Sequence, residues 1–112
     1  MESIIDAYLR EYDRLEEGGM FSYDCDYGEL TFSKQRGTSL ILHGIFVYPH
    51  HREKGVCRDT LRILIDKAYP TFTHVCVQSV LSKILYEYLE RFVYKGYRFV
   101  NTKDGFVYKI KN

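Results

Sequence analysis

Residues 40–68, LILHGIFVYPHHREKGVCRDTLRILIDKA, set a glycine and several cations on a turn between an apolar run and an amphipathic one. The turn reads Arg52-x-x-Gly55-x-Cys57. If the second run is a helix, the backbone N–H groups of Gly55, Val56, Cys57 and Arg58 can converge on one point. There the positive end of the helix dipole adds attraction for a phosphate. Gly55 permits a sharp turn and the close approach of a ligand. Arg52, Lys54 and Arg58 supply charge, arginine through forked contacts on phosphate oxygens and lysine through a point contact. With Glu53, which lies between them, they make up a candidate anion-binding loop.

This segment resembles the coenzyme A binding motif of the GCN5-related N-acetyltransferase (GNAT) family, a hydrophobic strand ending near V-x-P, then R/Q-x-x-G-x-G/A, then a helix. Val47-Tyr48-Pro49 stands at the strand end, Arg52 and Gly55 take the first two motif positions, and Cys57 replaces the final small residue. The resemblance implies acetyl-coenzyme A as co-substrate, with its diphosphate on residues 52–58 and no metal. It also implies that backbone groups of Ile45, Phe46 and Val47 on a bulged strand bond the acyl carbonyl and the pantetheine amides. Gly44, just before them, is a residue type that marks bulges or close backbone approach.

The family's second block, Asn-x-x-Ala-x-x-x-Tyr-x-x-x-Gly-Phe, fits in two registers. Anchored at its front it falls on Ser79-x-x-Ser82-x-x-x-Tyr86, positions that share one face of a helix and put Ser82 and Tyr86 toward the coenzyme. Anchored at its end it falls on Gly96-Tyr97, and the tyrosine position becomes Phe92, which has no proton to give. Leu85-Tyr86-Glu87 reproduces the local pattern and favours the front register.

Amine acylation needs a base or water chain at the amine, N–H donors at the tetrahedral oxyanion and an acid for the leaving thiolate. Tyr86 is the candidate acid, with Tyr88 and Tyr94 as alternatives. His43 on the motif strand is the candidate base, because histidine titrates near neutrality; Glu29 is a weaker one. His50-His51 lie too near the phosphate turn to reach a thioester, and two histidines make a poor metal site. Cys57 would open a helix, where thiol pKa values fall. The resemblance nonetheless puts it beside the diphosphate, far from the acyl group, so direct transfer is expected rather than a ping-pong route.

The elements that must position these groups follow from periodicity. A helix is predicted over 4–16, with Ser3-x-x-Asp6 as a capping box, and strands over 20–25, 29–34 and 39–48. Gly28 and Gly37 mark the turns between those strands. A helix over 58–69 stops at Pro70, a strand covers 73–78, and a helix with the apolar stripe Leu81, Ile84, Leu85, Tyr88, Leu89 and Phe92 covers 81–95. Strands at 97–101 and 106–111 close an α+β order of α-β-β-β-α-β-α-β-β. The resemblance implies a central mixed sheet in which the motif strand and the next are parallel but splay apart.

With 112 residues, 46% hydrophobic and 16% aromatic, the chain is expected to form one domain over 1–112 with a packed core. A net charge of +1 gives no general electrostatic case for nucleic acid or an anionic membrane. The apolar runs are too short to span a bilayer, and three cysteines without metal-ligand spacing fit reduced thiols, so a cytoplasmic location is expected.

The resemblance thus implies an N-acyltransferase acting on an amine of a small molecule or a protein lysine. Only one helix precedes the first strands where the family has a strand and two helices. The acceptor pocket is then small, open, or completed by a second subunit in a homodimer. Two alternatives stand beside this reading. One is a catalytically silent binding or regulatory protein, favoured by the Phe92 register. The other is an anti-defence acetyltransferase of a phage or mobile element, suggested by the compact, Tyr-rich, Trp-free composition.

Overall fold

The computed structural model describes residues 2–110. Helix α1 (Glu2–Arg14) precedes an antiparallel meander of β1 (Met20–Asp24), β2 (Gly28–Ser33) and β3 (Ser39–Val47). A 3-10 turn at Pro49–His51 leads into α2 (Val56–Ala68), followed by β4 (His74–Val77) and α3 (Lys83–Arg91). Two hairpins complete the chain, β5 (Val93–Tyr94) with β6 (Tyr97–Arg98), and β7 (Val100–Thr102) with β8 (Gly105–Lys109). Six strands form a mixed sheet in the order β1-β2-β3-β4-β8-β7.

Alternation along the strands sorts side chains onto two faces. Leu30, Phe32, Leu40, Leu42, Val75, Val77, Phe106 and Tyr108 share one buried cluster with Ile5, Tyr8 and Tyr12 of α1, Leu61, Leu64 and Ile65 of α2, and Leu89 of α3. All three helices therefore cover the same face of the sheet. Aromatic contacts knit α1 to it, with Tyr8 edge-on to Tyr23 and Tyr12 edge-on to Phe32 and Phe72. Burying these side chains supplies roughly 1.5–3 kcal/mol each.

The topology prepares a gap. β3 and β4 pair in parallel from Ser39↔His74 to Leu42↔Val77, and the ladder closes where Gln78 N donates to the Leu42 carbonyl at 2.7 Å. β3 then runs on to Val47 with β2 as its strand partner, Gly44 opposite Thr31 and Val47 opposite Gly28. The register jumps between Thr31 and Phe32, which leaves His43 as the extra residue of a bulge beside Gly44. The two parallel strands thus part just as β3 bends.

Several expectations need correction. α1 already runs at Glu2, so Ser3 lies inside its first turn and forms no capping box; Lys67 instead binds Glu2 and Asp6 at 3.0 and 3.3 Å. Gly28 is a strand residue rather than a turn residue, and a Cβ there would lie 1.9 Å from the Phe46 carbonyl oxygen. α3 ends at Arg91, not at 95, because Lys95 (φ 52) and Gly96 (φ 82) form the two-residue turn of a hairpin. The stripe expected on that helix is only half used: Leu89 and Phe92 are buried, whereas Leu81 is 95% and Ile84 80% exposed. The strand expected over 97–101 divides into β6 and β7, so four short strands end the chain in place of two. Residue 111, the predicted end of the last strand, lies outside the described residues, and β8 stops at Lys109.

Candidate functional site

The anion loop is built as its residues suggest. Gly55 is the N-cap of α2 in the left-handed region, φ 78 and ψ 12, and it brings no capping side chain. The first-turn N–H groups of α2, which have no partner within a helix, therefore open onto this turn. Glu53 is also left-handed at φ 62, so two left-handed residues fall within three positions. The Arg58 guanidinium lies directly over Gly55, since a Cβ there would sit 2.4 Å from an Arg58 terminal nitrogen, and Arg58 Nε reaches Asp59 Oδ1 at 3.1 Å.

Arg52 folds back onto the strand. Its Nε donates to the Val47 carbonyl at 2.9 Å and its guanidinium stands 5.3 Å from the centre of the Phe46 ring. The terminal nitrogens are what it retains for an anion, and the same contacts tie the loop to the end of β3. Phe46 is 51% exposed, Ile45 packs against the core, and Lys54 is exposed. Residues 45–47 thus lie along the diverging half of β3, one short turn from the loop.

Cys57 is half-buried against the core, and desolvation pushes its thiol up to about 12. Desolvation here outweighs the helix dipole that would lower it, and the sulfur packs against the core.

At the fork, the Ser79 hydroxyl and His43 Nδ1 are 3.4 Å apart, one from each side of the gap. Ser79 has φ 56 and precedes α3, so Ser79, Ser82 and Tyr86 do not share a helical face as the spacing suggests. Ser82 is the N-cap, its hydroxyl accepting from Leu85 N at 3.3 Å. Tyr86 faces the β7–β8 hairpin: its ring meets Phe106 edge-on at 5.0 Å, and its hydroxyl accepts from Asn101 Nδ2 at 2.6 Å. An open groove of about 430 Å³ lies there, lined by Ser79, Tyr86, Asn101, Thr102 and Asp104 among others. Ser79 belongs to both this groove and the fork, as does Gln78, which closes the ladder.

The other candidate acids stand apart. Tyr88 packs toward the first turn of α2, and burial pushes its phenol up to about 12. Tyr94 donates to Asp66 at 2.7 Å on the flank of α2. Phe92 is buried among Phe99, Tyr94 and Tyr108 and serves the core. Glu29 lies on β2 opposite Phe46. His50 and His51 have ring centres 4.2 Å apart beside Tyr48 and Tyr27, and among the described residues no group of three or more His, Cys, Asp or Glu could hold a metal. Asn101 and Gly28 escape a reading of the sequence because their importance rests on pairings across the sheet.

No protein-family model and no curated protein matches the sequence. Among solved structures, the crystal structure of a candidate acetyltransferase from Exiguobacterium sp. 255-15 superposes with a TM-score of 0.53 at 18% identity, over 94% of this chain and 74% of that one. The likeness is one of fold: a mixed sheet with its helices.

Proposed function

We propose that this chain is an acyl-coenzyme A dependent N-acyltransferase of the GNAT type, transferring acetyl from acetyl-coenzyme A directly to an amine of a small molecule or a protein lysine. The observation that carries this reading is the fork itself. Two parallel strands separate after Leu42 and Val77, the longer one bulges at His43 and ends at Val47, and a short turn leads from there to the left-handed Gly55 at an open helix N-terminus. That order of parts suits a molecule with a linear amide arm and a diphosphate. The arm would lie along residues 45–47, and the loop of residues 52–58 would hold the phosphates. The similarity in fold to the Exiguobacterium protein supports the same class.

In this mechanism the neutral amine attacks the thioester carbon, and backbone N–H groups of β3 hold the oxyanion. The C–S bond breaks with its electron pair moving to sulfur, and Tyr86 protonates the thiolate. His43 or water takes the proton from the amine nitrogen. The proton balance closes when that proton returns to the Tyr86 phenolate through solvent.

Calorimetry with acetyl-coenzyme A tests the cofactor, and mass-shift screening of a cell lysate with labelled acetyl-coenzyme A tests the acceptor. Absence of binding at millimolar coenzyme would remove the proposal.

A further inference from the structure

We propose that Asn101, on β7, is a positioning residue that holds Tyr86 as a proton donor; this rests on the acetyl-transfer reading above. A phenol can donate one hydrogen bond and accept others. Asn101 Nδ2 reaches the Tyr86 oxygen at 2.6 Å, and a side-chain amide nitrogen has only hydrogens to offer, so the tyrosine oxygen accepts. The phenolic hydrogen is then left free for a group in the groove. The Phe106 ring, edge-on at 5.0 Å, fixes the plane of the phenol from a second direction. Tyr86 is 37% exposed and lines the groove that meets the fork at Ser79, so the freed hydrogen faces a space a substrate can enter.

The hairpin is braced for this task. Thr102 Oγ1 donates to the Gly105 carbonyl at 2.9 Å and accepts from Asp104 N at 3.1 Å, which closes the turn next to Asn101. Asn101 also pairs with Phe106 across the hairpin, so the amide that orients the phenol and the ring that flanks it move as one unit.

In the reaction, the Tyr86 O–H bond breaks as the S–H bond of free coenzyme A forms. The Asn101 N–H bonds the oxygen throughout and gains strength as negative charge develops on it. Asn101 exchanges no proton; it acts through Tyr86.

The test is a double-mutant cycle on the full chain, reading thiol release from acetyl-coenzyme A with the acceptor found by the mass-shift screen, or with water as acceptor. Coenzyme affinity is measured alongside by calorimetry. Asn101→Ala is expected to lower kcat about tenfold or more with coenzyme Kd unchanged. In the Tyr86→Phe background the same change should cost nothing further, because its route is already gone. Asn101→Asp, which keeps the size but cannot donate, should behave like alanine, whereas Asn101→His, which can donate, should restore part of kcat. Losses that multiply in the double variant, or an unchanged kcat in Asn101→Ala, overturn the inference while leaving the acetyl-transfer reading intact. A wild type that binds no acetyl-coenzyme A overturns both.

Discussion

Replacing Gly55 by alanine isolates what the anion loop demands of its backbone. At φ 78 a non-glycine residue is strained by about 1–2 kcal/mol. The new Cβ would also sit 2.4 Å from an Arg58 terminal nitrogen and 2.9 Å from its Cζ. Those atoms end a flexible side chain, so Arg58 can swing aside, giving up an exposed contact with Asp59 worth at most about 1 kcal/mol. Backbone strain is therefore the dominant cost, and it should lower the melting temperature by roughly 5–12 °C. Asparagine tolerates the left-handed region better, so Gly55→Asn should lose less than half as much despite its greater bulk. Arg58→Ala in the same background should remove the steric share and leave the strain. Thermal melts of the four proteins measure both shares; coenzyme affinity should fall from wild type to Gly55→Asn to Gly55→Ala, and further in the Arg58→Ala variant, which also loses a cation for the phosphates. Equal losses for alanine and asparagine, or a full rescue by Arg58→Ala, would refute the assignment to φ.

Gly28→Ala should destabilise by about 2–3 kcal/mol, because its Cβ would meet the Phe46 carbonyl oxygen at 1.9 Å and drive β2 from β3; chemical denaturation checks this, and coenzyme affinity should fall with it. Tyr8→Phe should raise stability by about 1 kcal/mol, since among the described residues the buried Tyr8 hydroxyl has no hydrogen-bond partner beyond the neighbouring Cys25 thiol. Burial raises the Asp66 carboxyl, but hydrogen bonds from Lys95 and Tyr94 outweigh it and hold the group below the usual carboxylate range. A depressed acid stabilises the fold above its unfolded pKa of about 4 and loses that contribution as the pH falls through its folded value, so wild type and Asp66→Asn should differ at pH 6 and converge on acidification below pH 4.

The motif region was legible because its signals are local. An apolar strand, a glycine turn and an apolar 3.6 period at Leu61, Leu64, Ile65 and Ala68 require no knowledge of distant residues, and the parallel pairing of β3 with β4 follows from the crossover helix between them. The end of α3 was hidden because Phe92 and Tyr88 continue the helical period into residues that the Lys95-Gly96 turn draws into a hairpin. Leu81, in the connection from β4, and Ile84, in the first turn of α3, fit an apolar stripe equally well, yet both face solvent. Tyr86 could be named from spacing but its surroundings could not, since Asn101 stands fifteen residues away on a strand whose register is set by the β7–β8 turn.

The parting of β3 from β4 also makes the sheet a jointed object. β1, β2 and β3 form one plate and β4, β8 and β7 another, and the seam between them is four residue pairs long. Any ligand lodged in the fork bonds to both plates and lengthens the seam, acting as a fastener. Its binding energy then opposes separation of the plates, by RT ln(1 + [L]/Kd) for a ligand that binds only the folded chain. Slowed hydrogen exchange should therefore extend to the amide of Cys76, which lies two residues before Gln78 and on the same side of β4, within the seam itself, as well as to the residues that touch the ligand.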